Sequence, residues 1–450
     1  MKKNLTLHNI IAACGGTNHG DAAALGTEIT AVTTDSRAVT PGCLFAAIPG
    51  ERVDGPDFVS GALEKGALCA LVQRIPAGTA GNLIIVPDTV RALQAIAAFY
   101  RAQFEIPVLG ITGSVGKTTA KEMVAAVLGR KMRVHKTAGN FNNDLGVPLT
   151  LFGLNESHEA AVIEMGISHP GDMARLAEMV QPTMSLFTII GHAHLEFLKS
   201  REGILAEKSV VNDYLPADGT VFCSGDDDLL AAMSCKQRKI TFGLGADCDV
   251  RAANVESLPD GTTNCTILCG ERKFDVNIPA YGEHMAYAAL EGAAVGMAMG
   301  LSDEEIIDGI ADYAPVGRRA RLVKTEKLTI VDDCYNANPT STASAIRSLA
   351  AAKGRKICIL GDMLELGENS AALHYETGAL AKDCGAALVL TVGNEASEIA
   401  RGAGECGRHF ESKAALLEAL PELIKPGDTV LVKASHSMAF EEITEALEKL

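Results

Sequence analysis

A short apolar run, Val108–Thr112, leads directly into Gly113-Ser114-Val115-Gly116-Lys117-Thr118-Thr119. Met123, Val124, Val127 and Leu128 then recur at helical spacing, which predicts a helix from about Lys117 to Arg130. No other stretch constrains the fold as strongly. A strand that turns through glycines into a helix gathers backbone N–H groups and the positive end of the helix around one point. Such a strand belongs inside a parallel sheet covered by helices. The point so formed suits phosphate: Lys117 adds a positive charge for the β- and γ-phosphates, and the Thr118 hydroxyl suits Mg²⁺. The commonest form of this motif has a further glycine at position 111, where Ile stands, so the loop is a variant. Gly113, Ser114, Val115, Gly116, Lys117, Thr118 and Thr119 are the candidate nucleotide contacts, with ATP the expected nucleotide. The bland alternative is a glycine turn without a ligand, and the strand–loop–helix context speaks against it.

At 450 residues the chain has room for more than this unit; at roughly 150 residues per domain the prior is about three domains. Breaks at Glu105-Ile106-Pro107 and Pro315-Val316-Gly317 divide it into residues 1–104, 105–315 and 316–450. In the first part Glu28–Thr33 reads as a strand, Cys43–Ile48 is another apolar stretch, and Arg91–Arg101 reads as a helix. In the second, Ala160–Met165, Met184–Ile190 and Thr220–Cys223 read as strands separated by helices, a doubly wound pattern. Three more strand-like runs between Val250 and Ile278 lack intervening helices and predict a small antiparallel extension. A helix from about His284 to Met299 closes this part. The third part restarts the α/β rhythm with Leu328–Asp332, Lys356–Leu360, Ala387–Thr391 and Thr429–Lys433. The fold class expected is therefore α/β in three domains, the central one with a parallel sheet and the last Rossmann-like.

Composition excludes several classes. With aromatics at 4% and Trp absent, Ala, Leu, Ile and Val must fill the cores, which suits α/β layers. The net charge of −16 argues against a nucleic-acid binder, which carries a basic stripe. The 12 Cys are scattered without a CxxC pair, as expected of reduced thiols in a cytoplasmic protein rather than a disulfide framework. The apolar run near the start is interrupted by His8 and Asn9, too short for a signal core, and no stretch suits membrane insertion.

From the phosphate loop onward the chain resembles the Mur ligases, whose members carry TGxxGKT, met here as Thr112–Thr118. Further stretches carry the resemblance to one branch of that family. They are Asp35-Ser36-Arg37 with Pro41-Gly42-Cys43-Leu44-Phe45, Gly139-Asn140-Phe141-Asn142-Asn143, and Gly146-Val147-Pro148-Leu149-Thr150. Asp332-Asp333-Cys334-Tyr335-Asn336-Ala337-Asn338-Pro339 and Leu360-Gly361-Asp362-Met363-Leu364-Glu365-Leu366-Gly367 complete the set. The resemblance implies a UDP-sugar domain at 1–104, an ATPase domain at 105–315 and a Rossmann-like substrate and nucleotide domain at 316–450. It also implies an ATP-dependent ligase of peptidoglycan precursor synthesis, acting in the cytoplasm as a monomer. The substrates implied are UDP-N-acetylmuramoyl-tripeptide and D-alanyl-D-alanine, joined through an acyl phosphate.

The resemblance assigns residues as follows. Glu164, at the end of a strand, and Thr118 are magnesium ligands. His194 and Lys208, the latter carbamylated, serve a second Mg²⁺, and with Lys117 they form the catalytic set. Arg318 reaches the ATP phosphates, and Asp333, Tyr335 and Asn336 line the nucleotide from the third domain. Ser36 and Arg37 face the UDP-sugar, and Asn140, Asn142 and Asn143 face substrate. The sequence departs from the family at Val210, at Met285 and Ala288 on the adenine side, and at Ala434 and His436. Two other readings use the same loop: a ligase adding another amino acid, or glutamates to folate, and a P-loop kinase. A kinase would need neither the N-terminal segment nor the third domain. A binder without turnover is a further alternative, against which Lys117, Glu164, His194 and Lys208 stand together.

Overall fold

The computed structural model describes residues 2–50, 54–258 and 260–450. They form three sheets. The N-terminal sheet has the spatial order Thr17–His19, Leu83–Ile85, Cys69–Val72, Leu44–Ala46, Val32–Thr33, parallel except at its first pair. The expected strand Glu28–Thr33 is shorter, because the chain changes partner along it. Ile29 exchanges backbone hydrogen bonds with Lys2 and Leu5, and only Val32 and Thr33 pair with the next strand. Helix Leu7–Cys14 starts at the Thr6 cap and buries Leu7 and Ile10.

The central sheet has nine strands. Val108–Thr112 lies between Ala160–Glu164 and Met184–Phe187, with Val134–Lys136 beyond the former. On the other side follow Thr220–Ser224, Arg238–Gly243, Val250–Ser257, Thr263–Cys269 and Arg272–Ile278. The antiparallel extension is there, formed by the three strands between Val250 and Ile278 as the sequence pattern suggests. Val250–Ser257 still runs parallel to Arg238–Gly243, and only the last two pairings are antiparallel. Helices Lys117–Gly129 and Met285–Ala298 cover one face through an apolar cluster that includes Met123, Val127, Leu290 and Ala293.

The opposite face packs on the N-terminal part. Leu93, Ile96, Ala97 and Tyr100 of helix Thr89–Arg101 share one cluster with Leu151, Ile163 and Leu176 of the central part. Arg101 fixes this junction by donating to the carbonyls of Val180 (2.9 Å), Phe104 (2.7 Å) and Gln181 (3.1 Å).

The C-terminal sheet runs Arg321–Lys324, Thr329–Asp332, Thr429–Lys433, Lys356–Gly361, Leu388–Val392, Gly407–Phe410, parallel except at its first pair. Its two faces are filled by separate apolar clusters. Among the described residues no helix is long and apolar enough to cross a membrane.

Candidate active site

The site is built where the buried strand Val108–Thr112 ends. Gly113 has φ +145°, and a Cβ placed there would lie 1.9 Å from Thr188 Oγ1. Only glycine fits that backbone beside that hydroxyl. Thr188 braces the loop by donating to Val115 O at 2.5 Å, and Ser114 N–H donates to Ile189 O at 2.8 Å. Gly116, at φ +87°, turns the chain into helix Lys117–Gly129, whose first N–H groups have no side-chain cap. Uncapped donors at a helix start, ringed by glycines, form an anion site.

Around it the carboxylate of Glu164 is buried. Its Oε2 accepts from Thr118 Oγ1 at 2.9 Å and its Oε1 from Asn142 Nδ2 at 2.7 Å. Lys121 Nζ stands 4.0 Å from Oε2, and it donates to Thr137 O at 2.7 Å. Lys121 thereby ties the phosphate-loop helix to the loop bearing Asn140, Asn142 and Asn143, while Asn143 Oδ1 accepts from Gly146 N–H at 2.8 Å. Lys117 Nζ rests on Gly113 O at 2.8 Å, and burial lowers its pKa from the ordinary lysine value.

Lys208 is 1% exposed and, among the described residues, its amine has no hydrogen-bond or ion-pair partner. Burial, with the Lys117 charge adding to it, pushes its pKa well below the usual range. Such burial favours the neutral amine over the ammonium.

The C-terminal sheet supplies the other wall. One cleft of about 860 Å³ is lined by Ser114–Thr119, Asn140, Asn142, Asn143, Glu164 and His194, and across from them by Asp333, Tyr335, Asn336 and Lys433. Asp333 Oδ2 accepts from the buried Lys433 Nζ at 2.6 Å, and Lys433 also donates to Asn336 O at 2.9 Å. At the far end half-buried His284 faces Ser348, and its partial burial lowers its pKa. His194 Nδ1 is hydrogen-bonded to Glu365, and this contact holds the Glu365 carboxyl below its usual range.

Several expected residues are not in the cleft. Arg318 is turned away by two carboxylates, Asp332 Oδ2 at 2.9 Å and Glu445 Oε1 at 3.0 Å. Its neighbour Arg319 lines the cleft instead, with its guanidinium 3.8 Å from the Tyr335 ring centroid. Ser36 and Arg37 lie outside the cleft, on the N-terminal part. Arg37 is exposed and forks onto Asp35, whose pKa it lowers to about 2.

The sequence alone does not single out Lys121, Arg319 or Glu365 as site residues. Lys121 sits one helical turn after Lys117, and a charged residue at that spacing within an otherwise apolar face was the available signal. For Arg319 nothing in the sequence separates it from Arg318.

A glycine-loop phosphate site opposed by a second, Rossmann-like sheet defines a two-walled, nucleotide-dependent P-loop enzyme. Three family models match the chain: the Mur ligase middle domain at 111–296, the Mur ligase glutamate ligase domain at 318–436, and the Mur ligase family catalytic domain at 28–126. The chain belongs to the Mur ligase family. It is 38% identical over 432 residues to the UDP-N-acetylmuramoyl-tripeptide–D-alanyl-D-alanine ligase of Bacillus subtilis, covering 94% of this chain and 93% of that one. A crystal structure of MurF from Acinetobacter baumannii superposes with a TM-score of 0.93 at 32% identity, covering 99% of both chains. MurF ligase from Thermotoga maritima in complex with ADP gives a TM-score of 0.84 at 29% identity, over 93% of this chain and 97% of that one.

Proposed function

We propose that this chain is an ATP-dependent ligase that joins D-alanyl-D-alanine to UDP-N-acetylmuramoyl-tripeptide in peptidoglycan precursor synthesis. The carrying observation is the single cleft that faces Lys117, Thr118, Glu164 and His194 with Asp333, Tyr335, Asn336 and Lys433. The names of the relatives that match along nearly the whole chain support the same reading.

A carboxylate resists attack by an amine until one of its oxygens becomes part of a leaving group. The tripeptide carboxylate attacks the γ-phosphorus, the bond to ADP breaks, and an acyl phosphate forms. The amine of D-alanyl-D-alanine then adds to the acyl carbon and gives up a proton, and the carbon–oxygen bond breaks to release phosphate. In such chemistry the protein positions the reactants and offsets charge. Lys117 and the loop N–H groups hold the phosphates, and Arg319, stacked on Tyr335, approaches them from the opposite wall. The exposed Asp35–Arg37 turn is assigned to the UDP-sugar.

The Thr118 hydroxyl and Glu164 carboxylate, 2.9 Å apart, form an all-oxygen donor pair that suits Mg²⁺. Thr118 and Glu164 would hold Mg²⁺ there, and the ion would supply positive charge to the transferring phosphoryl group. The resemblance also assigns a second ion to His194 and Lys208, and of these only His194 lines the cleft. An amine is no ligand for a hard cation, so Lys208 serves only as its carbamate. A lysine amine adds to CO₂ in its neutral form, with loss of one proton, and burial at Lys208 favours that form.

The test is phosphate release from ATP by the purified protein with each substrate alone and with both. Release is expected to require both. Release indifferent to either, or a phosphorylated product in place of an amide, overturns the reading. Lys117→Ala is expected to cost about a hundredfold or more in turnover.

A further inference from the structure

The proposed reaction gives no task to the segment Leu360–Gly367. Strand Lys356–Gly361 ends there, and the chain crosses toward the central sheet. Glu365 meets His194 at that crossing. Its carboxylate pairs with His194 Nδ1, and its backbone carbonyl accepts from Glu196 N–H at 3.1 Å. Both residues hold left-handed backbone, His194 at φ +60° and Glu365 at φ +62°. For non-glycine residues that conformation costs about 1–2 kcal/mol, and it persists only where the surroundings impose it.

The surroundings do impose it. Met363 N–H donates to the buried His374 Nε2 at 3.0 Å, and Leu364 N–H to Ser435 Oγ at 3.2 Å. Met363 and Leu366 are buried in a small cluster with Ala337. The loop that presents Glu365 is therefore fixed to the C-terminal sheet. On the central side, His192 N–H donates to Thr340 Oγ1 at 3.0 Å, on the first turn of helix Pro339–Ala350. Residues 192–196 are thus held from the C-terminal part at two separate places.

We propose that Glu365 is a positioning residue that latches His194: it fixes the ring at the phosphate cleft and makes that orientation depend on docking of the C-terminal sheet. An imidazole can offer only one nitrogen to a cation, and a carboxylate on the other sets tautomer and orientation. With Nδ1 taken by Glu365, Nε2 is the nitrogen left for the cleft. The latch rests on the reading of His194 as a cation ligand, and it explains why a motif on one domain completes a site on another.

The test uses the full chain with Glu365→Ala and Glu365→Gln. Glutamine keeps an oxygen that accepts from Nδ1–H. Hydrogen exchange of amides 192–198, read without nucleotide, is expected to be about tenfold faster in the alanine variant, as for loss of a charge-assisted hydrogen bond, and within about twofold of the parent in the glutamine variant. In the ligase assay the alanine variant is expected to need about tenfold more Mg²⁺ for half-saturation, with KM for D-alanyl-D-alanine unchanged. Unchanged exchange in Glu365→Ala, an unchanged Mg²⁺ requirement, or equal impairment of both variants overturns the latch. Failure of the ligase reading shows separately, as a parent protein that makes no amide, and the exchange measurement still decides whether the latch exists.

Discussion

Lys208 places a side chain that normally carries charge in a site with 1% exposure and, among the described residues, no partner. Its folded pKa is lowered, so across the window between that value and the unfolded one near 10.5 the unfolded chain binds more protons than the folded chain. Stability then rises with pH through the window, by about 1.4 kcal/mol per pH unit. Lys208→Met removes the titration and keeps the volume. The variant is expected to resist urea better than the parent at pH 7 in bicarbonate-free buffer, with the advantage shrinking as pH approaches 10.5. Parallel pH profiles for the two proteins would contradict a depressed Lys208. The same substitution is expected to cost about a hundredfold or more in ligation. It should also abolish any carbamate signal seen by NMR with isotope-labelled bicarbonate. A stabilising substitution that removes activity is the signature of a group kept for chemistry.

At the scale of elements, the strand–loop–helix unit was legible because its constraint is local. Val108–Thr112 and Thr429–Lys433 lie where the apolar pattern puts them, and helix Lys117–Gly129 ends within a residue of expectation. Arg238–Gly243 was not legible, since it opens on Arg238 and Lys239 and offers only Ile240 and Phe242 as apolar positions to the cluster under the helices. Arg318 and Arg319 illustrate the same limit at a site: their sequence surroundings are equivalent, and only the carboxylates of Asp332 and Glu445 decide which one turns away. Glu365 was visible as part of a motif but not as a partner of His194, because the contact spans 171 positions. The loop itself makes a sharp prediction. Gly113→Ala must move a Cβ away from Thr188 Oγ1 and also strain φ +145°. At about 1–3 kcal/mol for such strain, ADP affinity measured by calorimetry is expected to fall by about five- to a hundredfold while far-ultraviolet dichroism is unchanged. Unaltered ADP binding would mean that the loop does not hold phosphate in this conformation.

Across the whole molecule the apolar clusters do not follow the three sheets one to one. A single cluster runs from Leu5 through Ile84 and Tyr100 to Phe187 and Val221, uniting the N-terminal sheet with one face of the central one. The C-terminal sheet keeps its own two clusters. Its links to the rest include hydrogen bonds such as those of Thr340 and Glu365. Cooperativity follows shared core rather than sheet count. Calorimetry of the full chain is therefore expected to show two transitions, one for residues 2–315 and one for residues 316–450, with a fragment of 316–450 reproducing the second. Arg101→Ala supplies the internal control. It leaves the carbonyls of Val180, Phe104 and Gln181 without their buried donor, where burial already holds the arginine pKa down at about 10. Unmet buried acceptors cost about 1–3 kcal/mol each, so the first transition should fall by several degrees and the second should stay in place. A single transition, or a second transition that moves with Arg101→Ala, would mean that the C-terminal sheet is welded to the central one. In that case the contacts at His192 and His194 would be permanent core rather than a docking surface.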